Sequence, residues 1–181
     1  MGGMAPQPSR QRLSMTLIRP DGSEGGTEQV LDINPDTSSS SPKNLYAFGS
    51  LVLFRADDGT NGSELWKSNG TGGGTEMVKN ISGSSSSTPG TNAEMVQLGS
   101  FVYFNVADEG DSTLWKTDGT GANTTPVGDL DNDVRRLAVL DDELIYSSDS
   151  TVGDIGLGFE LWAGDGTDNR LVKDINPATS D

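Results

Sequence analysis

Glu64-Leu65-Trp66-Lys67-Ser68-Asn69-Gly70-Thr71 is followed by Gly74-Thr75 and then by an apolar run, Met77-Val78-Lys79-Asn80-Ile81. The order returns at Thr113-Leu114-Trp115-Lys116-Thr117-Asp118-Gly119-Thr120. It returns again at Glu160-Leu161-Trp162-Ala163-Gly164-Asp165-Gly166-Thr167, with Arg170-Leu171-Val172-Lys173-Asp174-Ile175 behind it. A worn copy comes first: Thr16-Leu17-Ile18-Arg19-Pro20-Asp21-Gly22-Ser23, then Gly26-Thr27 and Gln29-Val30-Leu31-Asp32-Ile33. The turn glycines Gly22, Gly70, Gly119 and Gly166 stand 48, 49 and 47 residues apart. A period held that closely marks a repeat array, in which one unit explains the others.

Within each unit the apolar residues alternate with polar ones or form short runs between Gly, Asn, Asp and Ser, the pattern of strands and turns. Asn44 to Phe48 and Leu51 to Ala56 flank Gly49-Ser50, and Ala93 to Leu98 and Phe101 to Val106 flank Gly99-Ser100. A two-residue loop with glycine first suits a type II′ turn, whose twist matches antiparallel strands. In the third unit Asp141-Asp142 takes that place, and the return loop 149–158 is longer and glycine-rich. Nowhere does a capped stretch with helical period appear. The count comes to fourteen strands, four to a unit, which predicts an all-β fold: a β-propeller-like array of four-stranded antiparallel blades. A disordered leader over 1–12 precedes one repeat domain over 13–181, cut as 13–63, 64–112, 113–159 and 160–181, the last a half unit. Two copies would supply strands for seven blades, so the open array suggests completion by a second chain, as a closed dimer or a filament.

Twelve basic residues against 27 acidic ones leave a net charge of −15 and a pI near 4.1. That excludes nucleic acid as a partner, since binding phosphates needs a basic face. The chain has no Cys and no His, which removes disulfides, thiolate metal sites, histidine bases and the Ser-His-Asp triad. No apolar run is long enough for a helical membrane span, and no secretion signal is visible in this chain.

The quoted residues resemble the ELWxxDGT repeat family, with Glu64 to Thr75 and Glu160 to Thr167 matching closely. The copy at Thr113 lacks the glutamate, and Leu17-Ile18 stands where Leu-Trp belongs. The resemblance implies a repetitive, β-propeller-like, extracellular protein, and leaves its biochemical activity open.

Trp66, Trp115 and Trp162 share one phase of the repeat and read as packing anchors between blades rather than a ligand-stacking set. Asp57, Asp58, Asn61 and Glu64 gather oxygen donors around two glycines, a candidate Ca²⁺ site, although Asp, Asn and Gly also serve tight turns for backbone reasons. Asp108-Glu109-Gly110-Asp111 is the acidic loop of the next unit. No other cofactor is expected. Asn61, Asn69, Asn80 and Asn123 open glycosylation sequons. The serine runs Ser38 to Ser41 and Ser84 to Ser87 read as flexible spacers, or else as a hydroxyl-rich surface for mineral or polysaccharide. Asp141-Asp142 sits in an exposed turn and is given no catalytic role. The expectation is a non-enzymatic, secreted structural or adhesive protein that self-associates in an extracellular or mineralised matrix. The alternatives are a calcium- or carbohydrate-binding module and, behind it, a carboxylate-based glycan hydrolase or lyase.

Overall fold

A computed structural model of the chain describes residues 17–20, 26–35, 38–83, 86–90, 95–108, 111–128, 133–149, 151–152, 155–156, 158–164 and 168–175. The 1–12 segment lies outside them. Three four-stranded antiparallel sheets follow one another along the chain, each a simple meander. The first blade is β3 (Lys43–Phe48), β4 (Leu51–Asp57), β5 (Ser63–Ser68) and β6 (Thr75–Lys79). The second is β7 (Val96–Leu98), β8 (Phe101–Asp108), β9 (Asp111–Thr117) and β10 (Thr125–Pro126). The third is β11 (Arg135–Leu140), β12 (Glu143–Ser148), β15 (Glu160–Gly164) and β16 (Asn169–Lys173). A two-stranded sheet, β1 (Leu17–Pro20) with β2 (Thr27–Leu31), precedes them. The architecture is the propeller-like array of four-stranded blades that the repeat predicts.

Two details differ from expectation. The long return loop of the third unit contains a small hairpin, β13 (Thr151–Val152) with β14 (Ile155–Gly156), where the sequence offers only a glycine-rich loop. More importantly, the cuts at Glu64, Thr113 and Glu160 are out of phase with the sheets. The strand that opens with Glu-Leu-Trp pairs backwards, Phe54 with Trp66 and Phe104 with Trp115, so each sequence unit straddles two blades. Residues 160–173 therefore complete the third blade, and among the described residues β1–β2 holds the positions of a third and fourth strand.

The hairpins form because their first turn residue accepts a left-handed backbone. Gly49 has φ 59° and Gly99 φ 60°. Asp141 takes the same place at φ 54°, a conformation that Asp tolerates better than most side chains.

The core lies between blades. Adjacent residues of a strand point to opposite faces, so the Leu-Trp pair reaches both neighbours at once. Trp66 packs back against Ile33 and Leu31, together with Phe54 and Ala56 of its own blade. Leu65, with Leu53 and Val78, packs forward against Val102, Phe104 and Val106 of the second blade, where Trp115 also joins them. Leu114, Tyr103 and Val127 meet Val134, Leu144, Tyr146 and Trp162 of the third in the same way. Full burial of such side chains contributes about 1.5–3 kcal/mol each. Two polar bridges cross the first of these joints: the ammonium of Lys67 donates to the Gly119 carbonyl at 3.0 Å, and that of Lys79 to the Thr124 carbonyl at 2.8 Å.

The loops between third and fourth strands lean on the blade before them. A methyl group on Gly121 would sit 2.8 Å from the Val78 carbonyl oxygen, whereas one on Gly73 would meet nothing within 4 Å. Gly121→Ala is expected to lower stability by about 1–3 kcal/mol and Gly73→Ala to stay within about 0.5 kcal/mol, read by urea unfolding.

Candidate functional site

The candidate calcium residues occupy the return loop between β4 and β5. Asp57 Oδ1 accepts from the Gly59 amide at 2.7 Å. Asp58 Oδ1 accepts from the amides of Thr60 and Asn61 at 2.9 and 2.7 Å, and its Oδ2 from Asn61 Nδ2 at 2.7 Å. Asn61 Oδ1 accepts from Asn80 Nδ2 at 2.8 Å. The aspartate oxygens thus cap the turn's own donors, as Asx turns do. Burial works to raise the Asp58 pKa, but the hydrogen bonds from Asn61 and Thr60 leave it lowered overall.

Glu64 is not brought together with them. It is fully buried, and its carboxylate accepts from the Ile81 amide at 2.9 Å, Ser82 Oγ at 2.7 Å and Ser87 Oγ at 2.6 Å. Among the described residues no three carboxylates cluster as metal ligands would. Of the Asp108–Asp111 loop, Glu109 and Gly110 lie outside the described residues.

This Glu64 cluster is the feature that sequence reasoning missed. Ser87 is no spacer: it is fully buried, and its amide also donates to the Ser63 carbonyl at 3.0 Å. Ser40, in the other serine run, is buried too, and its carbonyl accepts from the Asp57 amide at 2.9 Å. Ser84 and Ser85 are outside the described residues. The recurrence of serines at one phase, behind Thr16 and Glu64 at the same position of the repeat, was the available signal.

At the next junction the roles are exchanged. Thr113 replaces the glutamate, and the neighbouring strand residue Ser112 donates instead to Asp133 Oδ1, in the loop, at 2.6 Å. The acid has moved from strand to loop and the hydroxyl from loop to strand, which keeps the joint closed without the glutamate. In the third blade Glu160 resumes the first arrangement, accepting from the Ile175 amide at 3.2 Å.

Asp133 also meets the guanidinium of Arg135. Burial works to raise its pKa, and the bonds from Arg135 and Ser112 outweigh that and lower it. Asp118, bonded to Thr120 and Asn123, is lowered as well. A carboxylate with a depressed folded-state pKa contributes stability above its unfolded value of about 4 and loses it as pH falls through the folded value. Stability is therefore expected to drop progressively below about pH 4. Asp133→Asn should be less stable at neutral pH and flatten that acid limb, as followed by chemical denaturation at a series of pH values.

Trp66 and Trp162 are 8% and 7% exposed, leaving no open ring face for a ligand. Trp115 is half-buried, with Lys79 over its ring at 5.9 Å. Tyr146 is fully enclosed beside Trp162, and burial pushes its phenol up to about 12. Asp141 and Asp142 are exposed in their hairpin turn. Of the sequon residues, Asn69, Asn80 and Asn123 are exposed and Asn61 is half-buried. Asn123 Nδ2 donates to Asp118 at 2.6 Å, while Asn69 engages through its oxygen, which accepts from the Thr71 amide and hydroxyl.

No protein-family model and no curated protein matches the sequence. Two solved structures align with most of it at 18% identity. One is the β-propeller domain of the Trilobed protease from Pyrococcus furiosus, described as having an open velcro topology, with a TM-score of 0.49 over 86% of this chain and 45% of that one. The other is the acylaminoacyl peptidase of Pyrococcus horikoshii, with a TM-score of 0.48 over 85% of this chain and 22% of that one. The chain spans less than half the length of either.

Proposed function

We propose that this chain is a non-enzymatic structural or adhesive repeat protein of an extracellular matrix, which works by stacking blades and by associating with itself. One observation carries the reading: the motif residues are spent inside the joints. Glu64 and Glu160 hold loops, Trp66 and Trp162 fill the spaces between sheets, and Lys67 and Lys79 bridge to the following blade. A repeat whose recurring Glu, Trp and Lys side chains serve the joints is a device for rigidity and extension, as in other repeat proteins. Exposed sequon residues and the acidic surface suit a secreted molecule, and acidic turns suit contact with calcium mineral.

Sedimentation equilibrium of the 181-residue chain, with and without calcium, tests this. Association above the 19.0 kDa monomer is expected. A strict monomer in both conditions would remove self-association, and a saturable gain in stability with Ca²⁺ or a sugar would favour a binding module.

A further inference from the structure

Asp-Gly and Asn-Gly are the dipeptides most prone to damage themselves, because glycine puts no side chain in the way of its own nitrogen. In succinimide formation that nitrogen gives up its proton and bonds to Cγ of the preceding side chain. Asparagine then loses ammonia, which carries the proton away, and a protonated aspartate loses water. Water next opens the ring at one of its two carbonyls, giving aspartate or isoaspartate. Four such pairs lie among the described residues: Asp58-Gly59, Asn61-Gly62, Asn69-Gly70 and Asp118-Gly119. The repeat turns cannot give up their glycines, since Gly70 and Gly119 hold φ 84° and 88°. Nor is the other reactant blunted. Asn69 Oδ1 accepts from the Thr71 amide and hydroxyl at 3.0 and 2.7 Å, and two donors on a carbonyl oxygen favour attack on its carbon.

In three of the four pairs the glycine N–H is tied to the side-chain oxygen two residues back. Gly59 donates to Asp57 Oδ1 at 2.7 Å, Gly70 to Ser68 Oγ at 2.9 Å and Gly119 to Thr117 Oγ1 at 2.9 Å. Ser68 and Thr117 are buried, and their hydroxyls are committed. Thr75 gives its proton to the Thr71 carbonyl at 2.7 Å, so Ser68 gives its own to Thr75, 2.7 Å away, and keeps a lone pair for Gly70. Thr124 and Thr117 repeat that chain against the Thr120 carbonyl. We infer that Asn69 and Asp118 are latent sites of deamidation and isomerisation, and that the buried hydroxyls of Ser68 and Thr117 hold them shut by withholding the glycine nitrogen. Base must reach the glycine N–H before the ring can close, and a proton held on a buried oxygen is released only when the turn opens locally. At Asp118 the bonds from Thr120 and Asn123 also hold the carboxyl below its ordinary pKa, without the proton that its departure as water requires. Asn61-Gly62 is restrained through its side chain instead: Asn61 Nδ2 donates to Asp58 Oδ2 at 2.7 Å and Oδ1 accepts from Asn80 at 2.8 Å. The inference stands on turn geometry and does not depend on the extracellular role proposed above.

The test uses the full chain, aged at mildly alkaline pH and read by peptide mapping with mass spectrometry. Asn69 should convert more slowly in the folded protein than in the same chain unfolded in urea. Ser68→Ala should raise its rate in the folded protein by about five- to tenfold, the factor that one ordinary hydrogen bond contributes. Ser68→Thr, which installs the residue of the second blade, should keep the slow rate. Thr117→Ala should likewise raise isoaspartate at Asp118, counted by isoaspartyl methyltransferase labelling. Asn61, the other Asn-Gly asparagine of the chain, serves as an internal clock for unfolding and should not change in Ser68→Ala. A parallel rise at Asn61 would mean that the variant merely unfolds, and would overturn the guarding role. So would an Asn69 rate in Ser68→Ala equal to that of the unsubstituted chain, or a folded protein that ages at Asn69 as fast as the unfolded one.

Discussion

Replacing Glu64 by Ala is expected to lower stability by about 3–5 kcal/mol, through lost hydrogen bonds rather than lost apolar packing. Its carboxylate is fully buried and terminates three short hydrogen bonds, from the Ile81 amide and the Ser82 and Ser87 hydroxyls. Removing it takes the acceptor from the Ile81 amide and the Ser82 and Ser87 hydroxyls, of which Ser87 keeps a longer bond to the Ser63 carbonyl at 3.3 Å, and each buried group left unsatisfied costs about 1–3 kcal/mol. Ser87→Ala deletes one donor and leaves the carboxylate its other partners, so it should cost less, about 1–2 kcal/mol. Urea denaturation of the two variants decides the matter. Equal losses, or a loss below about 1 kcal/mol for Glu64→Ala, would mean that the cluster is incidental.

Phe104→Ala should be as damaging by a different route. Phe104 is 0% exposed in the middle of the joint between the first and second blades, opposite Trp115 in the register and among Leu53, Leu65, Val78 and Val102. Truncation loses the transfer free energy of the ring and leaves a cavity, together about 3–5 kcal/mol. The loss should be local. Amide hydrogen exchange should show the amides of β3 to β6 opening at lower free energy than those of β11, β12, β15 and β16. Uniform loss of protection would instead mean that the blades unfold as one unit.

Much of the fold was legible because its signals are local. The glycine-first turns of two units and the two-residue period each arise within a few positions, and the 47- to 49-residue spacing of the later turn glycines ties the units together. The phase of the blades was not legible, since a repeat can be cut anywhere along its period and only pairing such as Phe54 with Trp66 shows which strands share a sheet. The candidate metal loop illustrates a second limit. Asp57, Asp58 and Asn61 are the residues that a calcium site and an Asx turn both select, and composition cannot separate the two until hydrogen-bond partners are known. Glu64 looked like one of that set from its place in the sequence, but strand geometry aims it at Ser87, 23 residues on. Ser87 itself sits in a low-complexity run, where no single serine stands out.

The meander order of the blades bears on how the chain comes to be folded in the first place. Every strand of a blade pairs with one that left the ribosome a short stretch earlier, and each joint then needs only the next blade. Loop closure is short throughout, so the entropic barrier that slows most all-β proteins is low. A nascent chain can therefore complete one blade while the following one is still being translated. The exposed aliphatic side of the newest blade is hidden as soon as its successor arrives, which limits the time in which an unfinished molecule can aggregate.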